Sequence, residues 1–155
     1  MPLGKLKEYL DENKVKYLII QHSIAYTSPE IAALAHIPGK ELAKTVVIKV
    51  DGRLAMAVLP ASYRVDFDDL KKAIGAKEVN LAKEGEFESN FADCEIGAMP
   101  PFGNLYNMDV YVAESLAEDK EITFNACSHR ELIKLAYKDF ERLVKPKVFK
   151  FSYQY

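Results

Sequence analysis

The stretch Gly97-Ala98-Met99-Pro100-Pro101-Phe102-Gly103 constrains this chain most. Two glycines bracket two adjacent prolines inside otherwise patterned sequence. Proline fixes φ and removes a backbone donor, and glycine admits conformations that other residues avoid. The segment therefore belongs neither inside a helix nor in a central strand. It is either a plain turn or a stiff loop whose amides can approach a ligand closely. The chain on both sides has to be arranged as short elements around it.

Those elements can be read in order. The Leu6/Leu10 spacing predicts an amphipathic helix over Leu3–Asn13, followed by a short strand at Tyr17–Gln21. Thr27 and Glu30 stand at capping-box spacing with Pro29 between them, so a helix is expected to open there and run to Ala35, before Pro38-Gly39. Ala43–Val50 and Arg53–Leu59 read as strands joined by an Asp51-Gly52 hairpin turn. Asp66 can cap a helix ending at Ile74, with Gly75 beyond it. Glu78–Leu81 reads as a short strand and Ala82–Ser89 as a short charged helix. After the proline loop come strand candidates at Asn107–Ala113 and Glu121–Asn125. His129–Ala136 suits either a strand or a helix, Asp139–Val144 reads as a helix, and Pro146 closes it. Strands and helices interspersed in this way predict an α+β fold. We expect one domain over 1–155, with a mixed, largely antiparallel and partly barrel-like central sheet flanked by helices.

Composition narrows the classes of function. A hydrophobic content of 49% and a charged content of 28% fit a globular protein with a sizeable core. The net charge of -2 provides no global positive field for nucleic acid, although gripping only the end of an RNA needs few phosphate contacts. No DNA or membrane partner is expected. No long apolar run or signal peptide is evident, so a cytoplasmic, reducing setting is the expectation. Cys94 and Cys127 are far apart and outside any Cys-x-x-Cys, which argues against a structural zinc site or a disulfide framework. No metal and no cofactor is expected.

Few residues stand out for chemistry. Lys44 opens an apolar strand, where it points either to solvent or into a pocket mouth as a point-charge partner for phosphate. His129, in Phe124-Asn125-Ala126-Cys127-Ser128-His129, makes either a structural hydrogen bond or a catalytic one. The same choice holds for His22, and His36 reads as exposed. Cys127 beside Ser128 and His129 invites a nucleophile reading, but nothing in the sequence lowers its pKa. Glu84, Glu86 and Glu88 read as a solvated run. The aromatic and basic residues of Lys147–Tyr155 are either a small RNA-facing patch or a terminal strand or tail.

Together these segments resemble the YbaK/prolyl-tRNA synthetase-associated domain family of aminoacyl-tRNA deacylases. The resemblance covers nearly the whole chain. It rests on His22–Thr27, on Ala43-Lys44-Thr45-Val46-Val47 and on Ala57-Val58-Leu59-Pro60-Ala61. It rests also on Cys94 through Gly103, with Gly-x-x-x-Pro at Gly97–Pro101, and on Asn-Ala-x-x-His at Asn125–His129. The family usually carries glycine where this chain has Cys127, and the position of Thr45 varies between its subfamilies.

The resemblance implies hydrolysis of the ester in mischarged tRNA by a free-standing, substrate-assisted enzyme, in which the neighbouring ribose hydroxyl orients or activates water. Alanine, cysteine or serine on tRNA(Pro) are the implied substrates. The partners would be the aminoacyl-tRNA acceptor end and a synthetase such as prolyl-tRNA synthetase. Lys44, Gly97 and His129 would be the catalytic set, converging on one cavity with the 97–101 loop. Thr45, Ala98, Met99, Pro100, Pro101, Phe102, His22, Tyr26, Thr27, Cys127 and Ser128 would line it. A non-catalytic module that binds tRNA ends or aminoacyl ligands with the same fold is the alternative. A Cys127-dependent hydrolase is a third reading.

Overall fold

A computed structural model describes residues 4–21 and 41–154. The expected helix at 27–35, and His22, Tyr26, Thr27 and His36, lie outside the described residues.

Helix α1 (Gly4–Glu12) and strand β1 (Tyr17–Gln21) open the chain, and β2 (Ala43–Val50), β3 (Arg53–Pro60) and β4 (Tyr63–Val65) follow. Asp51 (φ +49°) and Gly52 (φ +84°) both take left-handed conformations, the backbone that a two-residue hairpin needs. The Asp51 carboxylate then accepts the amides of Lys77 (2.9 Å) and Glu78 (2.8 Å), which ties the hairpin tip to the next strand. Helix α2 (Phe67–Ile74) has both expected caps. Asp66 Oδ1 accepts the Asp69 amide at 3.0 Å, and Gly75 closes the helix at φ +68°.

After β5 (Val79–Leu81), the predicted 82–89 helix is shorter. It is α3 (Glu84–Phe87) running into a 3-10 turn over Glu88–Phe91, so that Phe87 and Phe91 are both buried. Strand β6 (Asp109–Ala113) leads into a short helix, α4 (Glu114–Ala117), that the sequence reading lacks. Strand β7 runs over Glu121–Ser128, longer than expected, and β8 (Glu131–Ala136) resolves the ambiguous segment as a strand. Its Leu132, Ile133 and Leu135 are buried, and it is paired on both sides. Helix α5 (Tyr137–Val144) ends at Lys145 in a left-handed cap, and β9 (Lys147–Phe149) and β10 (Ser152–Gln154) make the C-terminal stretch strand rather than tail.

The strands form sheets of order β1-β8-β7 and β5-β2-β3-β6-β9, with β10-β4 as a separate pair. The first sheet is antiparallel. The second is mixed, with β6 parallel to both β3 and β9. A parallel bridge between Leu42 and Thr123 joins the two sheets at the start of β2. Strand β3 is the axis of the core. Met56 and Val58 pack into one hydrophobic cluster with Phe102, Phe124 and Phe140, while Ala55, Ala57 and Leu59 pack into a second with Leu70, Tyr111 and Phe151. Burial on both faces explains why its sequence is a continuous apolar run. No helix among the described residues is long and apolar enough to cross a membrane.

Candidate active site

The proline loop and the end of β7 meet. Phe102 fixes the loop from below. Its ring is fully buried, with centroids 5.5 Å from Phe124 and Phe140 and 6.2 Å from Tyr9. Phe102 is thus an anchor in the core rather than an exposed wall. Ala98, Met99, Pro100 and Pro101 are buried as well, and Gly97 alone of Gly97–Pro101 is exposed. The loop presents its glycine and sinks the rest.

Strand β7 ends in a bulge between Asn125 and Ser128, where Cys127 takes a left-handed conformation (φ +67°). A left-handed position is where glycine is ordinarily the default, and here a cysteine fills it. The bulge turns the chain so that the Cys127 amide donates to the Ala98 carbonyl (2.9 Å), while the Glu95 amide donates to the Cys127 carbonyl (3.0 Å). His129, 7% exposed, then lands against Gly97. A Cβ added to Gly97 would stand 3.3 Å from His129 Cε1 and 3.8 Å from Nε2, and Gly97 itself sits at φ +89°. Position 97 accordingly favours glycine for two reasons, conformation and space.

His129 Nε2 lies 2.8 Å from the Ile96 carbonyl. A carbonyl only accepts, so Nε2 carries the hydrogen, and in the neutral ring Nδ1 is the acceptor. The Glu95 carboxylate accepts the His129 backbone amide at 3.1 Å and stands 3.9 Å from Nε2. Two of the loop amides are engaged within the loop. The Ala98 amide donates to Glu95 O (3.1 Å), and the Gly97 amide to the Met99 sulfur (3.1 Å). A thioether is a weak acceptor, so the exposed Gly97 amide can exchange it for a ligand oxygen at little cost. Ser128 Oγ accepts the Arg130 amide at 3.1 Å and serves the turn. The Asn125 side-chain oxygen is buried with no hydrogen-bond partner among the described residues. The sequence reading passed over it, although an orphaned polar atom beside a bulge is itself a sign of a functional position.

Lys44 does not join this group among the described residues. Along β2, Ala43 and Val47 face the cluster that holds Met99, Phe102 and Ala126. Val46, Ile48 and Val50 face the other cluster. Alternation puts Lys44 with the second set. There it lines a groove of about 370 Å³ with Val46, Arg64, Val65, Phe67, Leu81 and Tyr153. Convergence of Lys44, His129 and the loop on one cavity is therefore not what the described residues show. Thr45, on the opposite face of β2 from Lys44, is half-buried.

The cysteines overturn a second expectation. Cys94 and Cys127 form a disulfide, with their Cα atoms 4.3 Å apart and a sequence separation of 33. Sequence distance hid the pairing, because only the bulge of β7 and the turn before Gly97 bring the two together. Cys127 is thus not a free thiol, and the cysteine-nucleophile reading falls. Tyr106 lies over the pair, its hydroxyl 3.4 Å from Cys94 Sγ and 3.7 Å from Cys127 Sγ, and it donates to the Asp93 carboxylate at 3.2 Å. Burial, reinforced by Asp93, pushes the Tyr106 phenol well above its usual range. Asp93, Cys94 and Cys127 place one ligand atom each within 4.8 Å of one another. With the two sulfurs bonded together, Asp93 is the only anionic donor of the three.

The profile of the aminoacyl-tRNA editing domain family matches residues 22–143. The prolyl-tRNA editing protein ProX of Acetoanaerobium sticklandii is 25% identical over 144 residues, covering 88% of this chain and 86% of that protein. A proline–tRNA ligase of Bacillus mycoides is 26% identical over 99 residues, which is 64% of this chain but only 17% of the ligase. Among solved structures, one described as a candidate trans-editing enzyme for prolyl tRNA synthetase superposes with a TM-score of 0.83 at 17% identity, covering 98% of this chain and 97% of that one. At that identity the likeness speaks for the fold.

Proposed function

This chain belongs to the aminoacyl-tRNA editing domain family, and we propose that it hydrolyses the ester bond of mischarged tRNA, acting as a free-standing enzyme on tRNA(Pro) that carries alanine, cysteine or serine. The observation that carries the reading is the contact of exposed Gly97 with buried His129 inside the matched region. The likeness to ProX, which extends over most of both chains, supports action in trans. A proline–tRNA synthetase is the partner that the likeness to the ligase favours.

The chemistry asked of the protein is modest. An aminoacyl ester is already activated, and the adjacent ribose hydroxyl can orient the attacking water. In this reading the Gly97 amide leaves the Met99 sulfur and donates to the ester carbonyl as negative charge builds on it. His129, held by Ile96 O and Glu95, forms the rigid wall behind that amide. Pro100 and Pro101 keep the loop from relaxing away. Selection among aminoacyl groups is then a sieve by size, because one methylene is worth only about 1–3 kcal/mol in a binding site. Lys44 grips a phosphate of the acceptor end in its separate groove, at a distance from the ester.

The test is a panel of mischarged tRNAs presented to the purified chain. Release of a small amino acid is expected, with loss on Lys44→Ala and on His129→Ala. Failure to deacylate any member of the panel would sink the reading. The separation of Lys44 from His129 favours a second reading, a binding module for tRNA ends without turnover. Tight binding of a non-hydrolysable aminoacyl-tRNA analogue, with no deacylation of its ester counterpart, would select it.

A further inference from the structure

We infer that the Cys94–Cys127 disulfide is a redox-sensitive tether that restrains the exposed loop against the end of β7 at the candidate site. Its effect on deacylation rests on the function proposed above, whereas its thiol chemistry does not. Cys94 stands three residues before Gly97, and Cys127 stands two before His129. The bond thus joins the exposed loop to the strand end within a few residues of the Gly97–His129 contact. Across the same gap run the two backbone hydrogen bonds between Glu95 and Cys127 and between Cys127 and Ala98, and the hydrogen bonds of His129 to the Glu95 carboxylate and the Ile96 carbonyl. Opening the disulfide leaves these in place, so the local register survives while the covalent restraint is lost.

Access is one-sided. Cys127 is 1% exposed, whereas Cys94 is half-buried. The thiolate of an external dithiol therefore attacks Cys94 Sγ. A mixed disulfide forms there, the Cys94–Cys127 bond breaks, and Cys127 leaves as a thiolate that takes up a proton. The second thiol of the reductant then displaces Cys94. The reductant ends as a disulfide, and the protein gains two electrons and two protons. The proton comes from solvent, and the Tyr106 hydroxyl, 3.7 Å from the leaving sulfur, stands within reach to hydrogen-bond it. Oxidised glutathione reverses the sequence, with the same exchange run backwards.

The test uses the full chain. After equilibration with oxidised glutathione, denaturation and alkylation should label neither cysteine, and after dithiothreitol it should label both. Amide hydrogen exchange over 94–99 and 127–129 should accelerate on reduction by about ten-fold or more, while α2 stays unchanged. The double variant Cys94→Ser/Cys127→Ser should exchange like the reduced protein and ignore dithiothreitol. Deacylation should fall on the order of ten-fold on reduction and return on reoxidation. Two alkylated cysteines in the glutathione-oxidised protein, or exchange over 94–99 unmoved by reduction, would overturn the tether. A redox-dependent exchange pattern in a protein that deacylates nothing would instead overturn the proposed function and leave the tether standing.

Discussion

Replacing Gly97 by alanine separates two costs that the structure predicts at one residue. The backbone there is left-handed at φ +89°, and an L side chain in that region loses about 1–2 kcal/mol. The new Cβ would also stand 3.3 Å from His129 Cε1, tighter than ordinary contact, so the ring has to yield by a few tenths of an ångström. Its hydrogen bond to the Ile96 carbonyl, 2.8 Å long, then lengthens or bends, at a cost of about 0.5–1.5 kcal/mol. The sum is about 1.5–3.5 kcal/mol. For a chain of this size that lowers Tm by about 3–14 °C. Gly75→Ala is the control. It has a comparable positive φ of +68° and open space where the Cβ would lie, so it pays the backbone cost alone. Urea unfolding of both variants gives the difference, and a double-mutant cycle with His129→Gly assigns it to the ring. Deacylation should fall by about ten- to a hundred-fold in Gly97→Ala and hold in Gly75→Ala, because displacement of positioning groups by a fraction of an ångström is costly in rate. If the two variants lose equal stability and Gly97→Ala keeps full activity, the contact between Gly97 and His129 is incidental and the site lies elsewhere.

Other measurements check separate parts of the structure. The disulfide closes a loop of 33 residues, which in the chain-entropy account stabilises by about 4 kcal/mol, so Cys94→Ala/Cys127→Ala should lower the free energy of unfolding by about that amount. Asp66→Ala removes the α2 cap and should cost about 1 kcal/mol with no effect on deacylation. Burial, with Asp11 adding to it, pushes the Tyr17 phenol up to about 12, and burial with Glu141 does the same for Tyr137. Unfolded phenols ionise near their ordinary value of about 10. Stability from these groups is therefore complete below about pH 10 and is lost as pH rises toward 12. Urea midpoints across that window, read beside phenolate absorbance, should fall together. Midpoints flat to pH 12 would show that neither phenol is shifted.

What was legible in the sequence was local. Asp51-Gly52 specifies its own turn, and Asp66 and Gly75 mark the ends of one helix, because each signal acts over three or four residues. The Asn125–Ser128 bulge was not legible, nor was the cysteine pair it creates, since both depend on two segments meeting. The strand β4 is hidden for the same reason, whereas its partner β10 falls in the stretch that reads as a terminal strand or tail. Among the described residues, Lys44 stands on the opposite face of β2 from the cluster behind the proline loop. Alternation along β2 decides which face receives Lys44, and that phase is set by strands far away in the chain. The sequence groups Phe102 with the proline loop, whereas its ring answers to Phe124 and Phe140 from two other elements.

The central position of β3 also bears on how the protein reaches its fold. One edge of β3 is met by β2 across a two-residue turn, a pairing that forms in about 1–10 µs. The other edge waits for β6, where Ala55 faces Asp109 across more than fifty residues of intervening chain. Until that parallel partner arrives, a hairpin whose Met56, Ala57 and Val58 are apolar on both faces carries an open edge. Such an edge is a template for pairing with another chain. The strand that organises the finished core is thus the one most exposed to misassembly before the core exists, and dilution or a chaperone that covers it should raise the yield of refolding.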